Sequence, residues 1–275
     1  MEIKNLKATI LGTGPSWGCP VLGCDCKVCK GDNPKNKRLR SSVCVSWETI
    51  KPIENDNPEK YDRSLIIDAG PDFREQSLRS SISAVNAVFL THEHSDHIEG
   101  IDDLRSFSIH QGSIPLYGSK KCIDLIKNKF SYCWRKQIYG GGLPQLIPEQ
   151  IEPYKSVHVH GIDVIPINVE HGQLDAFGFI IGDFGYIPDA HFIPEESIKL
   201  LKQANLKTFF LDCSERRVTS KHFHPESAIE MAKIVGAKKT YLTHISHQFD
   251  YDEFLEELPE NIEPAYDELT FEINI

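Results

Sequence analysis

The residues best suited to chemistry lie in one heptapeptide, Thr91-His92-Glu93-His94-Ser95-Asp96-His97. It contains three imidazoles and two carboxylates, and zinc and first-row divalent ions bind both kinds of ligand. His92 and His94 can point the same way while Asp96 and His97 face elsewhere, so one loop can supply two neighbouring metals. A charged surface loop is the alternative, but the H-x-H-x-D-H spacing favours metal binding.

The elements around this heptapeptide place it at a strand end. Ala87 to Leu90 is an apolar run that predicts a buried strand, and residues 98–104 predict the first turns of a helix. Loops at the carboxyl ends of strands often hold the chemistry of α/β folds. Similar residues gather at the ends of later predicted strands, namely His171, Asp189, Asp212, His222, His224, His244 and His247. Strands and helices alternate through much of the chain, which predicts an α/β fold.

A second group of potential ligands lies near the amino terminus, where Cys19 precedes the closely spaced Cys24, Cys26 and Cys29. The C-x-C-x-x-C spacing is too tight for a mutual disulfide set and suits three thiolates that converge on one tetrahedral ion. The fourth ligand must come from elsewhere, and both Cys19 and a distant histidine are candidates. The alternative is a set of reduced surface thiols.

The composition excludes some functions. The chain has 275 residues, a formal net charge of -10 and 40% hydrophobic residues, which suits a globular protein with a sizeable core. An acidic chain disfavours long nucleic acid as a partner, although bound metals would still admit a small anionic substrate. No apolar run approaches the ~20 residues of a membrane span, and the amino terminus has no signal-peptide pattern. We therefore expect a cytoplasmic protein without a membrane partner, whose cysteines are reduced.

Several stretches carry weaker signals. Gly12-Thr13-Gly14 follows a first strand but lacks the third glycine of a dinucleotide fold, so we interpret it as a tight turn close to the site. Residues 51–62 predict a polar hairpin tip. Residues 131–144 predict either a mobile flap or a loop without function. His158 and His160 fall on one face of a predicted strand and are interpreted as ordinary sheet residues.

The order of H-x-H-x-D-H, a lone histidine, a lone aspartate and a late histidine resembles the metallo-β-lactamase superfamily. Three stretches resemble its PhnP type, the cyclic-phosphate phosphodiesterases of the carbon–phosphorus lyase pathway: the C-x-C-x-x-C insert, Leu211 to Ser214, and Leu242 to Asp250. The resemblance implies a single domain over 1–275, a four-layer αββα sandwich with two mixed β-sheets, and a cysteine-rich zinc-binding insert over 19–41. Its active site would lie at one edge of the sheets.

The resemblance also assigns ligands residue by residue. One metal would be held by His92, His94 and His171, the second by Asp96, His97 and His244, and Asp189 would bridge both. The metals would be Mn or Zn, or Fe, since mixed ligation does not select among them. Cys24, Cys26 and Cys29 would hold a structural zinc with His247 as the fourth ligand.

The activity implied is hydrolysis of small phosphodiesters, of the ribosyl cyclic phosphate or 2',3'-cyclic nucleotide type, by a hydroxide that bridges the metals. The predicted catalytic residues are Asp96, Asp189 and His222, with His222 favoured over His224 as proton donor and Asp212 orienting nearby groups. Alternatives are a tRNA-processing endonuclease, a lactone or thioester hydrolase, and a non-enzymatic binding module. A small phosphate ester is the expected partner, and a homodimer is left open.

Overall fold

The computed structural model describes residues 2–51, 59–134 and 142–275. The strands of this part are β1 (Glu2–Gly12), β2 (Ser42–Lys51), β3 (Glu59–Ile67), β4 (Ala87–Phe89), β5 (Ile114–Gly118), β6 (Leu146–Gln150), β7 (Val157–Val159), β8 (Ile162–His171), β9 (Leu174–Ile181), β10 (Phe184–Ile187), β11 (Thr208–Asp212), β12 (Lys239–Thr243), β13 (Ile262–Pro264) and β14 (Thr270–Glu272). The helices are α1 (Lys27–Lys30), α2 (Phe73–Arg79), α3 (Ser95–Ile98), α4 (Arg105–Gln111), α5 (Lys120–Lys129), α6 (Glu195–Gln203), α7 (Pro225–Val235) and α8 (Tyr251–Glu257).

The strands form two mixed sheets. Within the described residues the first sheet has the order β14-β1-β2-β3-β4-β5-β6 and the second the order β13-β12-β11-β10-β9-β8-β7. The run from β3 to β6 is parallel, as is the run from β10 to β13, and the remaining pairs are antiparallel. Parallel strands place their carboxyl ends at one edge, so the residues that follow β3, β4, β10, β11 and β12 can meet there.

Three apolar clusters separate four layers. The central cluster lies between the sheets and includes Val45 and Phe89 from the first sheet and Phe179 and Phe210 from the second. A second cluster packs α2, α3 and α5 on the outer face of the first sheet. A third packs α6, α7 and α8 on the outer face of the second sheet. This confirms the predicted αββα sandwich, in which each sheet is covered on both faces.

Most predicted elements are present, with some differences. The predicted helix over 98–104 is wrong: α3 ends at Ile98, a 3-10 helix covers Glu99–Leu104, and α4 follows. His158 lies in β7, but His160 lies in the turn after it with a φ of 47°, so it is not a sheet residue. The short strands β6 and β13 were not predicted.

Some predictions fall partly outside the description. Residues 52–58 of the predicted hairpin tip and 135–141 of the predicted flap are outside the described residues, and the extent of a single domain over 1–275 stays a prediction. None of the helices in the described part combines the length and hydrophobicity that a membrane span requires.

Candidate metal centre

The loop that carries the H-x-H-x-D-H motif follows β4 and is anchored by Asp68. The carboxylate of Asp68 accepts hydrogen bonds from the Thr91 amide and the Thr91 hydroxyl, both over 2.9 Å. Asp68 comes directly after β3 with a φ of 64°, a left-handed conformation that is uncommon outside glycine. Its fully buried carboxylate therefore fixes the start of the loop from the neighbouring strand.

Two glycines let the loop approach the rest of the sheet edge. A Cβ atom on Gly70 would lie 1.9 Å from the backbone oxygen of Asp96, and one on Gly100 would lie 2.1 Å from the backbone oxygen of Gly70. The amide of Gly100 donates to the carbonyl of Ala69 over 2.8 Å. No side chain fits between these backbones, so both positions require glycine.

The first group of candidate ligands is His92, His94 and His171. The Nε2 atom of His92 lies 2.8 Å from Nδ1 of His94, and the His171 ring centroid lies 5.2 Å and 5.0 Å from those two rings. One ring nitrogen from each lies within 4.8 Å of the others, close enough to hold one ion. His171 ends β8, and its Nδ1 lies 2.8 Å from the Lys221 carbonyl, an acceptor that leaves Nε2 free for a metal.

The second group is Asp96, His97 and His244. The Oδ2 atom of Asp96 lies 3.3 Å from Nε2 of His97 and 3.7 Å from Nε2 of His244. The far side of the His97 ring is held by Asp68, whose Oδ2 accepts from Nδ1 over 2.6 Å. This is the carboxylate–histidine arrangement that orients metal-binding imidazoles.

Asp189 follows β10 and lies between the two groups. Its Oδ2 is 3.1 Å from Nε2 of His97, while its Oδ1 is 3.3 Å from Nε2 of His244 and 4.0 Å from Nε2 of His171. One carboxylate therefore faces both groups. The seven predicted ligands meet at the sheet edge from four separate stretches of the chain, at sequence separations of up to 152 residues.

The charge states suit cation binding. Burial lowers the pKa of His92 well below its ordinary value and that of His171 to about 4, so both are neutral and can donate lone pairs near pH 7. Burial opposes the charged form of His97, but Asp96, Asp68 and Asp189 together raise its pKa well above the ordinary value. A field that draws a proton onto His97 will also attract a divalent cation.

The chemistry of the donor set provides a test of fit. The buried atoms Nε2 of His97, Nε2 of His244 and Oδ2 of Asp189 have no hydrogen-bond partner within the described part of the chain. Buried polar atoms are almost always satisfied, and these three point at one another without hydrogen-bond geometry. Metal coordination would satisfy all of them, so the residues fit divalent ions.

His222 lies beside both groups. Its ring centroid is 4.7 Å from that of His171 and 4.9 Å from that of His244. Its Nδ1 lies 2.8 Å from Oδ2 of Asp212, at the end of β11, and 3.8 Å from Oδ1 of Asp189. Burial alone would lower the pKa of His222, but Asp212 and Asp189 raise it to about 9, so the imidazole is charged near neutral pH.

His224 has different surroundings. It precedes α7, where its amide donates to the Ser227 hydroxyl over 3.1 Å and its Nδ1 lies 2.9 Å from that oxygen. Pro225 is the first residue of α7, and Gly236 follows its last residue in the left-handed conformation. Both are common at the ends of helices. His224 therefore contributes to the start of a helix, and the structure places His222 beside the metal ligands.

The three closely spaced cysteines lie around the imidazole of His247. The Nδ1 atom of His247 lies 3.3 Å from Sγ of Cys24 and 3.5 Å from Sγ of both Cys26 and Cys29. A tetrahedral zinc with ordinary bond lengths would separate sulfur from nitrogen by about 3.6 Å. Cys19 lies outside this group, in a small cluster with Val28 and Cys29. The geometry thus favours the distant histidine over Cys19 as the fourth ligand.

The insert is also fixed by hydrogen bonds to the segment that carries His247. The buried Arg38 guanidinium donates to the carbonyls of Ser246 and Phe249 over 3.2 and 3.0 Å. The amide of Asn36 donates to Asp250 over 2.7 Å. Residues 19–41 are therefore tied to the loop after β12, which begins with the candidate ligand His244.

Two cavities flank the candidate site. The Trp17 cavity has a volume of about 300 Å³ and is lined by Pro15, Ser16, Trp17, Val21, Ser214, Glu215, His222, His244, Ser246, His247 and Gln248. The Lys221 cavity has a volume of about 520 Å³ and is lined by His94, His171, Gly172, Gln173, Leu174, His191, Ser220 and Lys221. The metal ligands lie between them, so a substrate can extend to either side.

Asp68 and Thr91 support the candidate ligands, and neither residue was predicted from the sequence. The available signal was a carboxylate directly after the buried strand β3, the same signal that drew attention to Asp189 and Asp212. Asp68 was passed over because it lies apart from the histidine-rich motif in sequence, although it contacts His97 in space.

The structure has two mixed sheets flanked by helices, with a candidate metal site at one edge. The family model described as Beta-lactamase superfamily domain matches residues 63–245. The chain belongs to this superfamily, whose fold implies divalent metal ions.

The individual proteins to which this chain is similar have names that describe different activities. A diphosphatase from the PhnP family has a crystal structure that is 32% identical in sequence, with a TM-score of 0.85 over 98% of this chain and 99% of that one. A protein of Porphyromonas gingivalis named octanoyltransferase is 33% identical over 96% of this chain and 51% of its own length. A ribonuclease Z of Listeria welshimeri is 29% identical over 42% of this chain and 38% of its length. The matched part of the chain spans about half the length of the octanoyltransferase and 38% of the length of the ribonuclease.

Proposed function

We propose that the protein is a phosphodiesterase of the PhnP type that hydrolyses small phosphodiesters or cyclic phosphates. The observation that carries this proposal is the position of His222, a charged imidazole held by Asp212 next to both groups of ligands. Hydrolysis of a phosphodiester needs an acid for the departing oxygen as well as a site for the nucleophile. The likeness to the PhnP-family diphosphatase supports hydrolysis of a phosphate compound.

We assign His92, His94 and His171 to one divalent ion and Asp96, His97 and His244 to a second, with Asp189 shared. Mn and Zn are the preferred candidates, and Fe is the third. When bound, two such ions lower the pKa of a water molecule and offset the charge that builds on phosphate oxygens. A separate structural Zn belongs to Cys24, Cys26, Cys29 and His247.

The side chains of the protein supply the rest of the reaction. Asp96 and Asp189 accept hydrogen bonds from the attacking water and hold it in line with the phosphorus. The water oxygen forms a bond to phosphorus as the bond from phosphorus to the leaving oxygen breaks. His222 gives its proton to that oxygen, and the water's proton leaves to solvent or returns to His222. Asp212 stabilises the charged imidazole until the transfer.

The test is hydrolysis by purified protein after reconstitution with Mn²⁺ or Zn²⁺. Bis-p-nitrophenyl phosphate and a nucleoside 2',3'-cyclic phosphate should be turned over. His222→Ala should lower kcat by about 10²- to 10⁴-fold without changing metal content, while His224→Ala is the matched control and should retain turnover. Loss of metal from His222→Ala would make His222 a ligand, and inert reconstituted protein would end the proposal.

A second candidate is hydrolysis of an acyl thioester, favoured by the match to a protein named octanoyltransferase. A ribonuclease activity is the third, from the partial match to ribonuclease Z. An octanoyl thioester, a lactone and a precursor tRNA in the same assay series separate these activities. The phosphodiesterase proposal expects the highest kcat/KM with the phosphate esters.

A further inference from the structure

The Trp17 cavity differs from the Lys221 cavity in its walls. It is bounded by the Trp17 side chain, by the polar side chains of Ser214, Ser246 and Gln248, and by the carboxylate of Glu215. The Lys221 cavity shares histidine and glutamine side chains with it, but has Lys221 where the Trp17 cavity has Trp17 and Glu215. An aromatic ring and a carboxylate therefore lie on one side of the candidate metal ligands, and a lysine lies on the other.

Trp17 is 72% exposed, whereas Trp47 in the core is 2% exposed. Its turn is nevertheless held firmly. The Gly18 amide donates to the Pro15 carbonyl over 2.7 Å, and the Arg40 side chain donates to the Ser16 carbonyl over 3.1 Å. The backbone of the turn is thus held in place while the indole is open to solvent, so the ring contributes little to the core and its face is available to a planar ligand.

The position of His222 decides which part of a substrate enters this cavity. His222 lines the Trp17 cavity together with His244, and it is absent from the walls of the Lys221 cavity. If His222 protonates the departing oxygen, the group attached to that oxygen must occupy the Trp17 cavity. This step rests on the phosphodiesterase function proposed above.

We propose that Trp17 is a stacking platform for a planar ring on the leaving-group side of the substrate, and that this group is a nucleoside. Any of the nucleobases can stack on an exposed aromatic ring, because each base has a flat π-face. The hydroxyl and amide groups of Ser214, Ser246 and Gln248 offer partners for sugar hydroxyls. The Glu215 carboxylate repels a further phosphate on this side, which favours a nucleoside over a nucleotide.

The experiment compares two cyclic esters with the same scissile bond, adenosine 2',3'-cyclic phosphate and glycerol 1,2-cyclic phosphate. Trp17→Leu should raise KM for the adenosine ester by about 5- to 150-fold, the range for loss of one base–aromatic stack, and leave the glycerol ester unchanged. Trp17→Phe keeps a ring and should stay within about threefold of the native protein. Leu22→Ala is the control, because Leu22 is 96% exposed in the neighbouring insert and does not line the cavity.

The outcomes separate this inference from the proposed function. An equal effect of Trp17→Leu on both esters, or none on either, overturns the stacking role while hydrolysis itself still supports a phosphodiesterase. If neither ester is hydrolysed, the proposed function fails. Calorimetry of adenosine monophosphate binding to the metal-loaded protein then tests the stacking role of Trp17. Binding that weakens in Trp17→Leu and persists in Trp17→Phe supports the stacking role, and equal binding overturns it. An unchanged melting temperature shows that each variant is folded.

Discussion

One oxygen of Asp212 accepts hydrogen bonds from two parts of the site. Its Oδ2 lies 2.8 Å from Nδ1 of His222 and 2.9 Å from the amide of Ala190, the residue after Asp189. The carboxylate is fully buried at the end of β11. The same group thus sets the position of the proposed proton donor and of the loop that carries the proposed shared ligand.

Asp212→Asn should narrow the pH range of activity. Burial lowers the pKa of His222 and Asp212 raises it, so removing the negative charge must lower that pKa from about 9. The charged imidazole then persists only to a lower pH, and the alkaline limb of kcat/KM moves down. Because activity on such a limb falls tenfold per pH unit, we expect a loss of about tenfold or more at pH 9 and a smaller loss at pH 6.

Asp163→Asn is the matched control for this experiment. Asp163 lies 3.0 Å from Nδ1 of His158 on the exposed β7–β8 hairpin, so it forms the same type of pair away from the site. The pH profile of the control should coincide with that of the native protein. A profile of Asp212→Asn that also coincides with it would remove Asp212 from the mechanism.

Asp68→Asn should weaken metal binding at the second group of ligands. Asp68 accepts from Nδ1 of His97 and thereby directs Nε2 toward Asp96 and Asp189. Loss of such an outer partner typically reduces metal affinity by about 10- to 100-fold. Competition with a chromogenic chelator measures this. Thr91→Val removes the hydroxyl contacts to Asp68 and to Nδ1 of His92 but leaves the contact between Asp68 and His97, so it should have a smaller effect on affinity at the second group.

The sequence could predict those residues of the site that belong to local sequence motifs. His92, His94, Asp96 and His97 form one motif, and Asp189 and His244 each follow an apolar strand. His247 is different, because it lies 218 residues from Cys29 and no spacing rule links them. Only the resemblance to a family could supply that ligand before the fold was known.

Tertiary contact explains why the helix after the motif was mispredicted. The spacing of Ile98, Ile101 and Leu104 suits an α-helix, and all three are buried. However, Gly100 rests on the backbone of Ala69 and Gly70, and the chain tightens to a 3-10 helix at Glu99. The short strands β6 and β13 lie at sheet edges and contain Pro148 and Pro264, which weaken a strand pattern.

Gly70→Ala should disturb the metal loop. The added methyl group would meet the Asp96 carbonyl at 1.9 Å, so the loop must shift. Such overpacking typically costs about 1–3 kcal/mol, which calorimetric unfolding can measure together with metal content. Gly118→Ala is the control, since its nearest contacts are flexible side-chain atoms at 3.5 Å or more. Normal metal content in Gly70→Ala would show that the loop tolerates the shift.

Cys26→Ser should remove one metal ion per chain and lower stability more than it lowers catalysis. The proposed zinc links the amino-terminal insert to the loop after β12, and structural zinc contributes directly to folding. A loss of about 3 kcal/mol would lower Tm by about 6–12 °C. Cys133→Ser is the control, because Cys133 lies outside the four-ligand group, and it should keep both the metal and the melting temperature. Calorimetry and metal analysis provide the measurements.

Chelation gives a second readout on the same centre without mutation. Cys24 and Cys26 should become reactive toward iodoacetamide when zinc is removed, and Cys29 should follow more slowly, because burial raises its pKa to about 12. The buried Cys44 should stay protected. Cys26 should react first near pH 7, because the Cys29 amide lowers its pKa to about 6, whereas burial raises the pKa of Cys44 to about 12. Mass spectrometry of the alkylated peptides identifies each site. Full reactivity of all three thiols before chelation would mean that no zinc is bound there.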